Sequence, residues 1–257
     1  MEINYNKCRK VVEKLNSYFD NNDEIANVNF PLNIEFKTNE YYLYMFYSCL
    51  LDYGMRSKIY HKNLIETYMK HKNIFEPSYV IEMSEEDLKN IIVNYIHPRY
   101  PNIATKKWIT LSRELFKYDN VLKKLENINS FEELNKFIKN TKSYGQKTGG
   151  LLIRIICDSG ICNFNESVKA IPIDRHDIEI SYMTGIIDSM NIDSREIMNL
   201  SDTYVNVGQE LKINPSNIDK YLWEIGNSFC NSKNCQYCPL NDVCIIKASN
   251  KSSLKVR

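Results

Sequence analysis

Four cysteines close to the C-terminal end, Cys230, Cys235, Cys238 and Cys244 in the run CNSKNCQYCPLNDVC, are the residues best suited to do chemistry. Thiolates are soft ligands, and four of them at spacings of x4, x2 and x5 can surround one metal centre, either a four-iron cluster or a tetrahedral zinc ion. A second constellation lies in NTKSYGQKTGGLLIRIICDSG, where Tyr144, Gly145 and Gln146 form a turn that leads into Lys147 and Thr148. Unpaired N–H groups at a helix start favour an anion, and a glycine there lets a phosphate approach the backbone. The third is KAIPIDRHDIEISYMTG, in which a proline-stiffened entry delivers Asp174 to the start of a helix. Asp174 suits an N-cap as well as a reaction, and His176 suits packing as well as binding. With Arg175 and Asp177 they form a polar knot denser than a simple turn requires.

The elements that must hold these groups read as helices. Val11, Leu15 and Phe19 share one face, and Tyr42, Met45, Phe46, Cys49 and Leu50 recur at intervals of three and four. Ser84-x-x-Asp87 and Ser130-x-x-Glu133 are N-terminal capping signals. Pro101 and Pro215 fit the first turn of helices. The one stretch with strand character is Leu32 to Phe36, too little for a sheet. The expected fold class is all-α.

Composition narrows the setting. The 257 residues are 43% hydrophobic and 25% charged, which is ordinary for a soluble globular chain. No apolar run reaches the length of a membrane span, and the N-terminus lacks a signal-peptide core, so the expected location is the cytoplasm, nucleoid-associated in a prokaryote. Cysteines in that reducing setting read as a metal site plus buried thiols, the latter being Cys8, Cys49, Cys157 and Cys162. Net charge is only +1, but Lys136 to Lys147 and Lys247 to Arg257 carry basic residues and no acid, which permits one phosphate-binding face.

Taken in chain order, these three segments resemble the helix-hairpin-helix DNA glycosylase superfamily. YGQKTGG is similar to the end of the family's hairpin and places Lys147 on the nucleophilic lysine. IPIDRH resembles the segment that carries the essential aspartate, here Asp174, and its DRH is similar to that of 8-oxoguanine glycosylases. LWEIGNSFCNSKNCQYCPLNDVC resembles the C-terminal helix and [4Fe–4S] loop of endonuclease III and its relatives. The first cysteine gap is shorter than the family's, the hairpin lacks the Leu-Pro-Gly opening, and the spacing of Lys147 from Asp174 implies an insertion around Ile161 to Lys169.

The resemblance implies two helical lobes flanking a DNA-binding cleft. Residues 37–158 would form a helical barrel with the hairpin and Lys147, and residues 1–36 with 159–257 a second lobe with Asp174 and the cluster loop. It implies a bifunctional DNA glycosylase and AP lyase, a hydrolase and lyase of base excision repair acting as a monomer on double-stranded DNA with a damaged base. Such an enzyme swings the nucleotide out of the duplex. Asp174 would stabilise the developing sugar cation, and Lys147, having shed its proton, would attack C1′ and form a Schiff base that permits β-elimination. Tyr144, Gly145, Gln146, Thr148 and His176 would contact DNA, and Met55 or Arg56 would wedge into the stack. Cys230, Cys235, Cys238 and Cys244 would hold a structural [4Fe–4S] cluster, with zinc as the alternative. 8-Oxoguanine is the favoured lesion. An oxidised-pyrimidine glycosylase of endonuclease III type and a non-catalytic iron–sulfur or zinc DNA-binding protein are the competing readings.

Overall fold

The computed structural model describes residues 2–19, 29–52, 57–162, 164 and 171–247, and among them all regular structure is helical. The chain divides into two compact units, Val28–Glu166 and a second made of Met1–Asn27 with Ser167–Arg257. The inner unit is thus slightly wider than the expected 37–158.

The first helix, α1 (Tyr5–Phe19), belongs to the discontinuous unit and buries Cys8, Val11, Val12, Leu15 and Phe19. The inner unit follows with α2 (Asn39–Leu50), α3 (Ser57–Lys70), α4 (Pro77–Glu82), α5 (Glu85–Ile91), α6 (Pro101–Leu115), α7 (Val121–Glu126), α8 (Phe131–Asn140) and α9 (Gln146–Asp158). Its axis is α2, buried on every side from Tyr42 to Leu50, so the three-and-four spacing in its sequence marks only part of a wholly internal helix. Thr38 caps α2, and Ser84 and Ser130 cap α5 and α8 by accepting from Asp87 N and Glu133 N. The Glu133 carboxylate accepts in turn from Asn129 N, one residue before the cap, so the reciprocal bond of a capping box is displaced by one residue.

Aromatic packing and buried hydroxyl bonds make this core rigid. Tyr47 stacks on Trp108 with centroids 4.6 Å apart, and the Trp108 indole donates to the Ile74 carbonyl at 2.8 Å. Tyr60 donates to the carbonyl of Tyr47, and the Tyr47 hydroxyl pairs with that of Ser112 at 2.7 Å. Each buried polar group placed against a carbonyl or hydroxyl avoids the penalty of an unmade bond.

Leu32–Phe36 is not a strand. Ile34 N donates to the Pro31 carbonyl and Lys37 takes φ 61°, which folds the segment into two consecutive turns.

The discontinuous unit is completed by α10 (Arg175–Met183), α11 (Ser194–Leu211) and α12 (Pro215–Glu224). α1 packs on α11 and α12, and α10 packs on α12. Leu15, Ile180, Met183, Leu200, Tyr204, Ile218, Leu222 and Leu240 share one core. Pro101 and Pro215 occupy the first turns of α6 and α12, where a missing N–H is harmless. A π-helical turn, Ile225–Cys230, continues α12 to the first clustered cysteine. Among the described residues no helix is long and apolar enough to cross a membrane.

Candidate active site and cysteine-lined recess

In the inner unit α8, a short turn and α9 form the hairpin, and the two helices pack on each other. The turn does without Leu-Pro-Gly. Lys142 adopts the left-handed φ of 52° that a glycine would ordinarily supply after a helix, and the Ser143 hydroxyl donates to the Thr141 carbonyl at 3.1 Å. Tyr144 then donates to the carbonyl of Phe46 at 2.7 Å, which bolts the turn to the central helix α2. Burial pushes the Tyr144 hydroxyl well above its ordinary pKa, so it remains a donor.

Gly145 is the N-cap of α9 with an ordinary extended backbone, φ −85° and ψ 179°. Its conformation does not require glycine, but a Cβ added there would meet nothing within 4 Å, so the space over the backbone is open. Capping is one-sided: Gly145 N donates to Thr148 Oγ1 at 3.1 Å, while glycine has no side chain to accept from the first turn. Lys147 sits half-buried in that turn, Gly145 and Gln146 are exposed, and Thr148 is buried. The turn therefore presents backbone donors and a lysine together, an arrangement suited to an anion beside an electrophile.

In the discontinuous unit Asp174 is the N-cap of α10. Its Oδ1 accepts from His176 N at 2.6 Å and from Asp177 N at 3.3 Å. The buried Asp177 returns the bond, its Oδ2 accepting from Asp174 N at 2.6 Å. The aspartate is thus both a cap and a carboxylate in fixed orientation, half-buried at the positive end of a helix.

His176 points into packing. A Cβ built on Gly226 would lie 2.6 Å from both Cβ and Cγ of His176, so the imidazole rests against bare backbone in the π-helical turn. Among the described residues its Nδ1, also buried, has no hydrogen-bond partner. The contact joins the helix of Asp174 to the turn that delivers Cys230, and sequence reading missed it. The available signal was a glycine inside a helical run, which often marks close approach.

Cys230, Cys235, Cys238 and Cys244 all line one small recess of about 20 Å³, partly open to solvent, together with Met183, Phe229, Asn241 and Lys247. Tight turns bring them there: Cys238 N donates to the Cys235 carbonyl at 3.2 Å and Cys244 N to the Leu240 carbonyl at 2.9 Å. Lys247 Nζ donates to Asn241 Oδ1 at 2.7 Å beside the thiols, and Lys233 is exposed on the loop between the first two cysteines with φ 57°. Burial raises the Cys238 thiol and pushes Cys244 up to about 11, with the neighbouring Cys238 a smaller cause. Among the described residues no three His, Cys, Asp or Glu side chains are gathered as ligands of one metal ion.

Met55 and Arg56 lie outside the described residues, as does most of the segment around Ile161 to Lys169.

No family model matches the sequence, and no curated protein does either. Solved structures do match. A trapped endonuclease III–DNA covalent intermediate is 14% identical, with a TM-score of 0.65 over 98% of this chain and 100% of that one. A thermostable thymine-DNA glycosylase is 15% identical, with a TM-score of 0.62 over 93% and 96%. The 8-oxoguanine DNA glycosylase of Thermotoga maritima is 16% identical, with a TM-score of 0.57 over 86% and 97%. The fold is the one these DNA glycosylase structures have, all-α as the sequence led one to expect.

Proposed function

We propose that this chain is a base-excision DNA glycosylase with an associated AP lyase activity, acting on double-stranded DNA that carries an oxidised base, 8-oxoguanine in the first instance. The observation that carries the reading is Lys147 in the one-sidedly capped first turn of α9, on a hairpin bolted to the core by Tyr144. That turn sits within a fold shared with an endonuclease III trapped covalently on DNA.

Backbone amides of the turn would anchor a phosphate beside the extruded nucleotide. The neutral Lys147 amine would attack C1′ as the C1′–N bond breaks, with the base leaving protonated. With one amine proton lost, the nitrogen lone pair would expel O4′, which takes up a proton from water, opening the sugar to the protonated imine; loss of a C2′ proton would then expel the 3′ phosphate. The Asp174 carboxylate, oriented by the His176 and Asp177 amides, would stabilise positive charge on the sugar.

The soft-donor chemistry of the four thiols supports a [4Fe–4S] group here. All four line one recess, and their x4, x2 and x5 spacing beside the resemblance to the endonuclease III loop supports a multi-iron group over a lone zinc ion. Bound there, the group would staple the loop that carries Lys233.

Borohydride trapping tests the reading. Duplexes with 8-oxoguanine, an oxidised pyrimidine or a G·T mismatch are incubated with the protein and reduced. A covalent adduct that Lys147→Gln abolishes, with DNA binding retained, is the expected result. No adduct on any duplex refutes the lyase, and base release without an adduct would leave a glycosylase alone.

A further inference from the structure

Both ends of α10 are clamped to the segments that flank the cysteines. At its start the His176 ring lies on Gly226, four residues before Cys230 in the same π-helical turn. At its end Met183 lines the recess itself, and its carbonyl accepts from Ile245 N at 2.8 Å and Ile246 N at 3.2 Å, directly after Cys244. The helix between is nine residues, about 13 Å, with Ile180 and Met183 buried and Thr184 Oγ1 donating back to the Ile180 carbonyl at 2.8 Å. Asp174 is its cap. Flanks of the first and fourth cysteines therefore grip the rod that carries the carboxylate.

We propose that His176 is a positioning residue that couples the cysteine-lined recess to Asp174: filling the recess fixes both ends of α10 and with them the carboxylate. Drawing Cys230 and Cys244 onto one group immobilises the π-helical turn under His176 and the strap on Met183. Without that group the turn and strap are held by backbone bonds and by the packing of Ile225, Phe229 and Ile246 on the core. Glycine at 226 is what makes the seat possible. Ordinary carbon–carbon contact is about 3.5–4.0 Å, so an alanine methyl 2.6 Å from His176 Cβ and Cγ forces the histidine back by about 1 Å. Those atoms lie next to the backbone, so the displacement reaches the start of α10 and its cap.

The catalytic half of this inference rests on the glycosylase reading, but its structural half does not. In protein reconstituted with ferrous iron and sulfide, hydrogen–deuterium exchange at the His176 and Asp177 amides is expected to be slow. Chelation that leaves α1 and α11 protected should speed it on the order of tenfold. Gly226→Ala should speed it with the metal still bound, as judged by visible absorbance. The same variant should lower borohydride trapping on the order of 10²-fold for a shift of about 1 Å. Adding His176→Gly removes both atoms of the clash and should recover part of the trapping. Unchanged exchange at both amides, on chelation and in Gly226→Ala, overturns the coupling whatever the activity. A double variant as impaired as Gly226→Ala overturns the role of His176. Parent protein that traps on no duplex counts against the glycosylase reading, and the exchange measurements then decide the coupling alone.

Discussion

Asp174→Asn separates a structural role from the proposed catalytic one. The Asp174 carboxylate holds two amides of α10, from His176 at 2.6 Å and Asp177 at 3.3 Å, and Asp177 holds the Asp174 amide in return. An asparagine oxygen accepts the same two bonds, and asparagine equals aspartate as an N-cap. What it lacks is the charge at the helix start, worth about 0.5 kcal/mol at a half-exposed position. At about 2–4 °C per kcal/mol for a chain of this size, Asp174→Asn should melt within about 2 °C of the parent. Asp174→Ala loses the cap itself, about 1 kcal/mol more, and should melt about 3–6 °C lower. Glycosylase rates should order differently. Both variants lose the charge proposed to stabilise the developing sugar cation, an effect on the order of 10²–10³-fold. Single-turnover base release and calorimetry on the same preparations give both numbers. An Asp174→Asn protein within about threefold of the parent rate, beside an alanine variant slowed in step with its lost stability, would reduce Asp174 to a cap.

Tyr144→Phe removes the donor to the Phe46 carbonyl and should cost about 1–3 kcal/mol in urea unfolding while slowing trapping, because the turn before Lys147 loses its bolt. Lys142→Gly relieves a left-handed φ of 52° and should raise stability by up to about 1 kcal/mol, and a phosphate contact by Lys142 would show as a salt slope for DNA binding lower by about 1. His61 supplies a pH test. Burial lowers its folded-state pKa below the ordinary 6.5, with Asp52 a weaker opposing influence. The unfolded chain therefore takes up a proton first as pH falls, so stability is lost progressively from about pH 6.5 downward to the folded value. His61→Gln should flatten the melting temperature between pH 7.5 and 5.5, and an unchanged slope would assign it to other groups.

Much of the fold was legible where local chemistry decides it. Ser84, Ser130, Pro101 and Pro215 start helices because a cap hydroxyl or a missing N–H acts within one turn. The four cysteines were legible because thiols so closely spaced have few uses, and the structure lines one recess with all of them. Leu32 to Phe36 misled because alternation cannot report that Ile34 N is already taken by the Pro31 carbonyl. The seat of His176 on Gly226 was beyond sequence reading for a different reason. The two residues lie on separate helical segments, and only tertiary packing shows which side chain the missing Cβ makes room for.

The hairpin shows how a tight turn forms without a Leu-Pro-Gly opening. A Leu-Pro-Gly opening would supply a fixed φ, a left-handed position and an apolar anchor. Here Lys142 accepts the left-handed conformation, Ser143 ties the bend to Thr141, and Tyr144 anchors it through a buried bond to Phe46. Each replacement is local, and together they lead the backbone to Gly145 with the first turn of α9 open above it. The same economy governs Asp174. A carboxylate held by the amides of its own helix has a fixed direction, which suits the role proposed for it at a developing cation. Cap and catalyst are therefore not rival readings of Asp174, because the bonds that make it the first also fit it for the second.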